Sequence, residues 1–196
     1  MTMDFHDSQT RLNLMRAFAG ESQARNRYTF AADLARQQQM YVLEQLFTFT
    51  ASQEQAHAWV FYNLLKPVSG QSLKVDGSYP VELYQELLPH LQAAQHNEYQ
   101  EWEHDYAGFA RTAAEEEFPE IAHTFRAIAA VEKTHGDRFG RFATWLEQGR
   151  LFVSDQPERW ICLHCGHVVE GAGAPAVCPV CRRPQGYFIR EKEILF

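Results

Sequence analysis

Two stretches of this chain place a glutamate and a histidine, three residues apart, in the middle of an otherwise apolar helical stripe. The first stripe reads Leu43, Phe47, Thr50, Glu54, His57, Phe61, Leu64, and the second reads Ile121, Phe125, Ile128, Glu132, His135, Phe139, Phe142, Leu146. Spacings of three and four keep every member of a stripe on one face of a helix. A shift of 78 residues lays Phe47, Glu54, His57 and Phe61 on Phe125, Glu132, His135 and Phe139. Such a register predicts two structurally equivalent helix pairs, each directing an acid and an imidazole into the core.

Two further helical patterns add acids. Glu21 shares a face with Phe18 and Tyr28, while Glu98 and Glu101 follow Leu91 and Ala94. An ionised carboxylate buried without a partner costs several kcal/mol or more, so four helices that each point an acid inward need compensating cations. Lys and Arg are largely missing from these faces, and the cations are therefore expected to be metal ions. A lone Glu-x-x-His is weak evidence of a metal site. Two in register, with acids from two more helices, make five Glu and two His, the donor set of a dimetal carboxylate site. Mixed oxygen and nitrogen ligation suits iron or manganese better than structural zinc. Tyr28 and Tyr106 fall near the inward faces, where packing is the default role and a hydroxyl hydrogen bond to the site is the alternative. Asp105 is expected at a polar rim, and His6, His90, His96, His104 and His123 on the surface.

The helical patterns run from Ser8, a plausible cap, to Gln38, from Val42 to Lys66, up to Glu115, and from Phe118-Pro119 to Gly149. Residues 67–80, with Pro67, Gly70, Gly77 and Pro80, read as a long crossover loop, and Pro89 divides a short helix from the third long one. Four helices with one long connection after the second match an all-α, ferritin-like bundle over 1–149. Residues 150–158 read as a linker and 159–196 as a small β-rich domain.

That small domain holds all four cysteines, as Cys162-Leu-His-Cys165-Gly and Cys178-Pro-Val-Cys181 with twelve residues between the pairs. Two CxxC turns present four thiolates to one tetrahedral metal, and a segment this short needs the metal for stability. A zinc ribbon uses similar turns; Trp160, Pro179 and the neighbouring dimetal site favour iron. His164 and His167 are spare, because four thiolates fill the site.

The net charge of -7, with no basic run, argues against a nucleic-acid partner. Asp4 and Asp7 leave no apolar stretch for a signal peptide, and no run approaches the ~18 apolar residues of a membrane span. A cytoplasmic protein with reduced thiols is expected.

At these motifs the chain resembles rubrerythrins along essentially its whole length. The segments are GESQARNRY at 20–28, EQAH at 54–57, EYQEWEHDYAGFAR at 98–111, EIAHTFRAIAAVEKTH at 120–135 and WICLHCGHVVEGAGAPAVCPVC at 160–181. The resemblance implies that Glu21, Glu54, Glu98, Glu101, Glu132 and His135 ligate a carboxylate-bridged diiron centre, with Glu54 and Glu132 bridging. It implies that His57 binds one iron in the reduced state, exchanging with Glu101. It implies a rubredoxin-like domain in which Cys162, Cys165, Cys178 and Cys181 hold one further iron. The stretch Glu101-Trp-Glu-His-Asp105 is more charged than the family pattern suggests.

The resemblance further implies a peroxidase that reduces hydrogen peroxide to water. Its electrons would come through the four-cysteine iron from a rubredoxin or an NAD(P)H-dependent reductase, in a homodimer. The competing expectations are a ferritin-like iron oxidation or storage protein and a zinc-ribbon interaction module at the tail.

Overall fold

The Ser8 hydroxyl accepts a hydrogen bond from the Arg11 amide and starts α1, Gln9–Gln37. The computed structural model describes residues 3–194. Met1, Thr2, Leu195 and Phe196, which belong to the expected domains 1–149 and 159–196, lie outside the described residues. After α1 come α2 (Tyr41–Leu64), α3 (Leu87–Gln100), a π-helical stretch (Glu101–Asp105), α4 (Tyr106–Glu115) and α5 (Pro119–Glu147). α1 packs on α2, and α3 and α4 pack on α5, giving two helical hairpins that close a bundle.

The 78-residue repeat extends into the backbone of the hairpin turns. Gln39 and Glu117 are 78 apart, and both adopt a left-handed conformation, with φ of 60° and 67°. In each turn the next amide reaches back to the last helical turn, Met40 to Ala35 O at 2.9 Å and Phe118 to Ala113 O at 2.8 Å. These bonds satisfy carbonyls that a helix end would otherwise leave open. Aromatic packing obeys the same symmetry: Phe47 meets Phe139 at 5.4 Å and Phe61 meets Phe125 at 5.1 Å. These pairs belong to two separate apolar clusters, and the acids and histidines occupy the layer between them.

Two boundaries and one surface assignment in the bundle differ from the sequence reading. After a 3-10 turn at Lys66–Val68, the crossover continues without regular structure to Glu86, beyond the expected end at 80. Pro89 divides nothing; it lies in the first turn of α3, where a missing N–H removes no helical bond. His90 is not a surface side chain: it is buried, with Nε2 3.1 Å from the Tyr84 carbonyl oxygen, because α3 starts early enough to turn it under the crossover.

The C-terminal module is a three-stranded antiparallel sheet in the order β2-β1-β3 (Val153–Cys162, Val168–Gly173, Phe188–Arg190). The strand β1 begins inside the expected linker 150–158, and its pairing with β2 is irregular between Val153 and Glu158, where Pro157 has no N–H to give. Trp160, Cys162, Ala174, Cys178 and Phe188 form the module's own small core.

The module sits against the α1–α2 turn of the bundle. Tyr187 stacks on Tyr41 at 3.9 Å, and a Cβ on Gly186 would collide with the Gln39 carbonyl oxygen, so glycine permits the close approach. The buried Arg190 guanidinium lies between Trp145 of α5 at 4.0 Å and Trp160 of β1 at 4.8 Å. It also donates to the carbonyls of Arg150 at 2.7 Å and Val153 at 2.8 Å. Among the described residues no helix is long and apolar enough to cross a membrane.

Candidate metal centres

The stripes of α2 and α5 bring Glu54, His57, Glu132 and His135 to the layer between the apolar clusters, and α1 and α3 add Glu21 and Glu98. Glu21, Glu54, Glu98, Glu132 and His135 are each at most 1% exposed. Two groups of donor atoms gather within 4.8 Å: Glu21, Glu54, His57 and Glu132 in one, and Glu54, Glu98, Glu132 and His135 in the other. Glu54 and Glu132 belong to both. His57 Nδ1 lies 2.9 Å from Glu132, 3.4 Å from Glu54 and 3.9 Å from Glu21. His135 Nδ1 lies 2.8 Å from Glu132, 3.1 Å from Glu54 and 3.4 Å from Glu98.

These separations are short, yet they are not hydrogen bonds of acceptable direction. Glu21 Oε2, Glu98 Oε2, both oxygens of Glu54 and Glu132, and Nδ1 of both histidines have no hydrogen-bond partner. Lone pairs that converge in a buried space without donors are what a pair of cations would satisfy. The donor set therefore fits two metal ions.

Without cations the cluster must hold protons. Burial, reinforced by neighbouring carboxylates, pushes Glu21 and Glu101 well above the usual range and Glu98 up to about 8. Burial also opposes ionisation of Glu54, but the facing imidazoles of His135 and His57 outweigh it and hold that carboxyl at about 2. Burial disfavours the charged imidazoles too. The surrounding carboxylates, Glu132 first, overcome this and raise His57 to about 9 and His135 to about 12.

Both tyrosines named in the sequence reading reach the site. Tyr28 donates to Glu98 Oε1, and Tyr106 donates to Glu21 Oε1 at 2.5 Å. Burial and the facing carboxylates keep both phenols protonated, so they remain donors.

Sequence periodicity missed the device that places Tyr106. Glu21 and Glu98 are 77 apart, whereas Tyr28 and Tyr106 are 78 apart. The extra residue lies in the π-helical stretch, where the Tyr106 amide bonds to the Glu101 carbonyl five residues back. Eight regular residues would turn Tyr106 about 80° from the Glu98 face; absorbing one brings it within about 20°. Glu101 begins this stretch and stands outside both donor groups, half-buried at the edge of the layer, while Asp105 is exposed as a rim residue. The cluster of charges at 101–105 was the only signal of this irregularity.

Gln53 was missed as well. His135 donates from Nε2 to Gln53 Oε1 at 3.1 Å, and Arg138 reaches the same oxygen at 3.4 Å. A ligand histidine commonly has its far nitrogen held in this way, which aims the other at the metal. The residue 78 further on is Val131, which has no acceptor in its side chain, so the repeat gives His57 no such partner.

The second centre is built from two matching turns. Gly166 N bonds to Cys162 O at 2.8 Å and Arg182 N to Cys178 O at 3.0 Å, with Gly166 and Arg182 both left-handed. Cys162 and Cys181 Sγ are 3.7 Å apart, as are Cys165 and Cys178, so the thiols are free and converge on one point. Burial raises the Cys178 thiol, but the amides of Cys181 and Val180 outweigh it and bring it down to about 7. His164 packs edge-on against Tyr187, away from a ligand's role.

A family model described as rubrerythrin matches residues 13–143, and a second, described as the rubrerythrin rubredoxin-like domain, matches 160–189. The chain belongs to the rubrerythrin family. Rubrerythrin from Clostridium perfringens is 42% identical over 187 residues, covering 95% of this chain and 96% of that one. Rubrerythrin from Nitratidesulfovibrio vulgaris is 39% identical, covering 92% and 93%. Nigerythrin in a mixed-valence state superposes with a TM-score of 0.62 at 27% identity, over 96% of this chain and 92% of that one. As a member of this family the chain is an iron-dependent oxidoreductase with a ferritin-like diiron domain and a rubredoxin-like domain. Membership in this family also selects iron over the zinc of a ribbon at the four cysteines.

Proposed function

We propose that this chain is a non-haem diiron peroxidase that reduces hydrogen peroxide to water, fed with electrons through its four-cysteine iron. The observation that carries the reading is the pair of donor groups sharing Glu54 and Glu132, attached to a one-electron centre in the same chain. Glu21, Glu54, His57 and Glu132 would hold one iron, and Glu54, Glu98, Glu132 and His135 the other, with Glu54 and Glu132 bridging. Bound there, the ferrous pair supplies the two electrons that cleave the O–O bond, and two protons complete two waters.

The protein's part is to fix and adjust the donor set. Tyr28 and Tyr106 hold Glu98 and Glu21 by hydrogen bonds, which leaves one carboxylate oxygen of each facing the centre. Gln53 fixes His135. His57, without such a tether, is free to leave, and Glu101 waits at the edge of the site with the charge that a more oxidised iron favours. Exchange of neutral His57 for anionic Glu101 would match ligand charge to oxidation state. Electrons would return singly through Cys162, Cys165, Cys178 and Cys181, from a rubredoxin or an NAD(P)H-dependent reductase, in a cytoplasmic homodimer.

Stopped-flow reoxidation of the reduced protein tests the reading. Peroxide should oxidise the diferrous site rapidly and dioxygen slowly; the reverse order would sink the peroxidase and favour ferritin-like iron oxidation. Cys165→Ser should abolish turnover from NAD(P)H while sparing oxidation of the chemically reduced bundle by peroxide.

A further inference from the structure

A cavity of about 650 Å³ lies between α1, the crossover at Asp76–Pro80, and the stretch from Asn97 to Phe109. Glu101 and Tyr106 are in its wall, so it connects solvent to the edge of the diiron layer. The crossover is fastened over it from both ends of its span. Arg16 pairs with Asp76 at 2.6 Å, and Arg27 pairs with Glu82 at 2.6 Å, with Asn97 donating to the same carboxylate.

The wall contains a glycine that neither conformation nor packing explains. Gly20 sits in the middle of the 29-residue α1, one position before Glu21, and it is absent from the left-handed region. Nothing lies within 4 Å of the point where its Cβ would be. Glycine inside a helix lowers stability relative to alanine, and here no close contact compensates. Gly136 and Gly140 of α5 are different, since an added Cβ there would run into Tyr99 and Gln95. The space beside Gly20 is the cavity itself.

We propose that this cavity is the route by which peroxide reaches the Glu101 edge of the diiron centre, and that Gly20 keeps it open. The inference rests on the peroxidase reading for its substrate, but the route is testable with another small ligand. The cavity is many times the ~30 Å³ that a water molecule occupies, so hydrogen peroxide passes freely, and a side chain at position 20 would narrow that space beside Glu21.

The test uses Gly20→Ala and Gly20→Leu in the iron-loaded full chain, with azide association to the oxidised protein followed by visible absorption alongside peroxide oxidation of the reduced protein. Both rates should fall in order of side-chain size, most for Gly20→Leu, with iron content and reduction of the four-cysteine centre unchanged. Gly20→Ala should also raise the melting temperature of the metal-free protein by about 2–4 °C. Azide and peroxide rates unchanged in both variants would overturn the route. A melting temperature lowered by Gly20→Ala would overturn the claim that packing does not need the glycine. If Gly20→Leu fails to load iron, the Gly20→Ala rates decide alone. Failure of the peroxidase reading looks different: the wild type itself would then react faster with dioxygen than with peroxide, while the azide arm still reports on the route.

Discussion

The two hairpins of the bundle share one 78-residue register, and around the metal site they differ at two points. Their turns, aromatic pairs and Glu-x-x-His positions agree at 78 residues. The first difference is a tether: His135 is held by Gln53, whereas Val131 stands where His57 would need its partner. The second is the residue accommodated by the π-helical stretch, which brings Glu101 into the second hairpin's helix; its counterparts in the regular α1 are Gln23 and Ala24. The symmetric part supplies a closed donor set. The asymmetric part holds the imidazole without a glutamine tether and the half-buried carboxylate of Glu101, the two groups that the proposed exchange would use. Under that proposal, change would be concentrated at one iron position while the other stays fixed.

The largest test attacks what the halves share. Glu132→Ala should cost both irons of the bundle, whereas Glu21→Ala or Glu98→Ala should cost chiefly one; elemental analysis against the four-cysteine iron as internal standard reads the difference. Equal losses in all three variants would remove the sharing of Glu132 between the groups.

A smaller effect addresses the tether. Gln53→Leu should weaken iron binding by about 10–100-fold, the usual consequence of removing such a partner, measured by competition with a chelator. Val131→Gln should give His57 the tether it lacks and slow peroxide oxidation with little change in affinity. If Gln53→Leu leaves affinity intact, the two histidines are equivalent after all.

Titration of the metal-free protein separates them again. His57 is raised from 6.5 to about 9, so its contribution to stability is complete below 6.5 and is lost as pH rises through 9. The contribution of His135, raised to about 12, declines over the same range but persists in part up to that higher pH, where that of His57 is already gone. Glu98, raised from 4.5 to about 8, acts in the same direction because the folded form binds the extra proton. Melting temperature should therefore fall between pH 7 and 10, and His57→Gln should flatten the fall. A curve that rises with pH in this window would contradict the assignment.

The smallest effect tests the backbone equivalence. Gln39→Gly and Glu117→Gly each relieve a left-handed side-chain conformation and should each stabilise by roughly 1 kcal/mol, read by chemical denaturation. A gain at Glu117 alone would mean that the Gln39 turn is already supported by its contact with Gly186.

Most of the bundle was legible because buried acids are conspicuous on apolar stripes. The order of helices, the donor layer and the four-thiolate turns all follow from periodicity and spacing. Gln53 was not legible, since it lies one residue from Glu54 and about 100° around the helix, on no stripe. The π-helical stretch was hidden because an apolar stripe shows one fixed period, and an absorbed residue changes the phase without a break in composition. The linker at 150–158 misled for another reason: Pro157 and the charged Asp155 and Glu158 look like loop, yet pairing with β2 draws Val153 onward into the sheet. Arg190 gave no signal either, because a buried cation between two indoles depends on residues far apart in sequence.

That last contact has a consequence for how the molecule comes apart. One cation is enclosed by an aromatic ring from each domain, and the Gly186–Gln39 approach leaves no slack beside it. Neither domain can open at this seam without exposing the other's ring. Heating should consequently register as a single cooperative transition, and metal lost from the small module will loosen the end of the bundle it rests on.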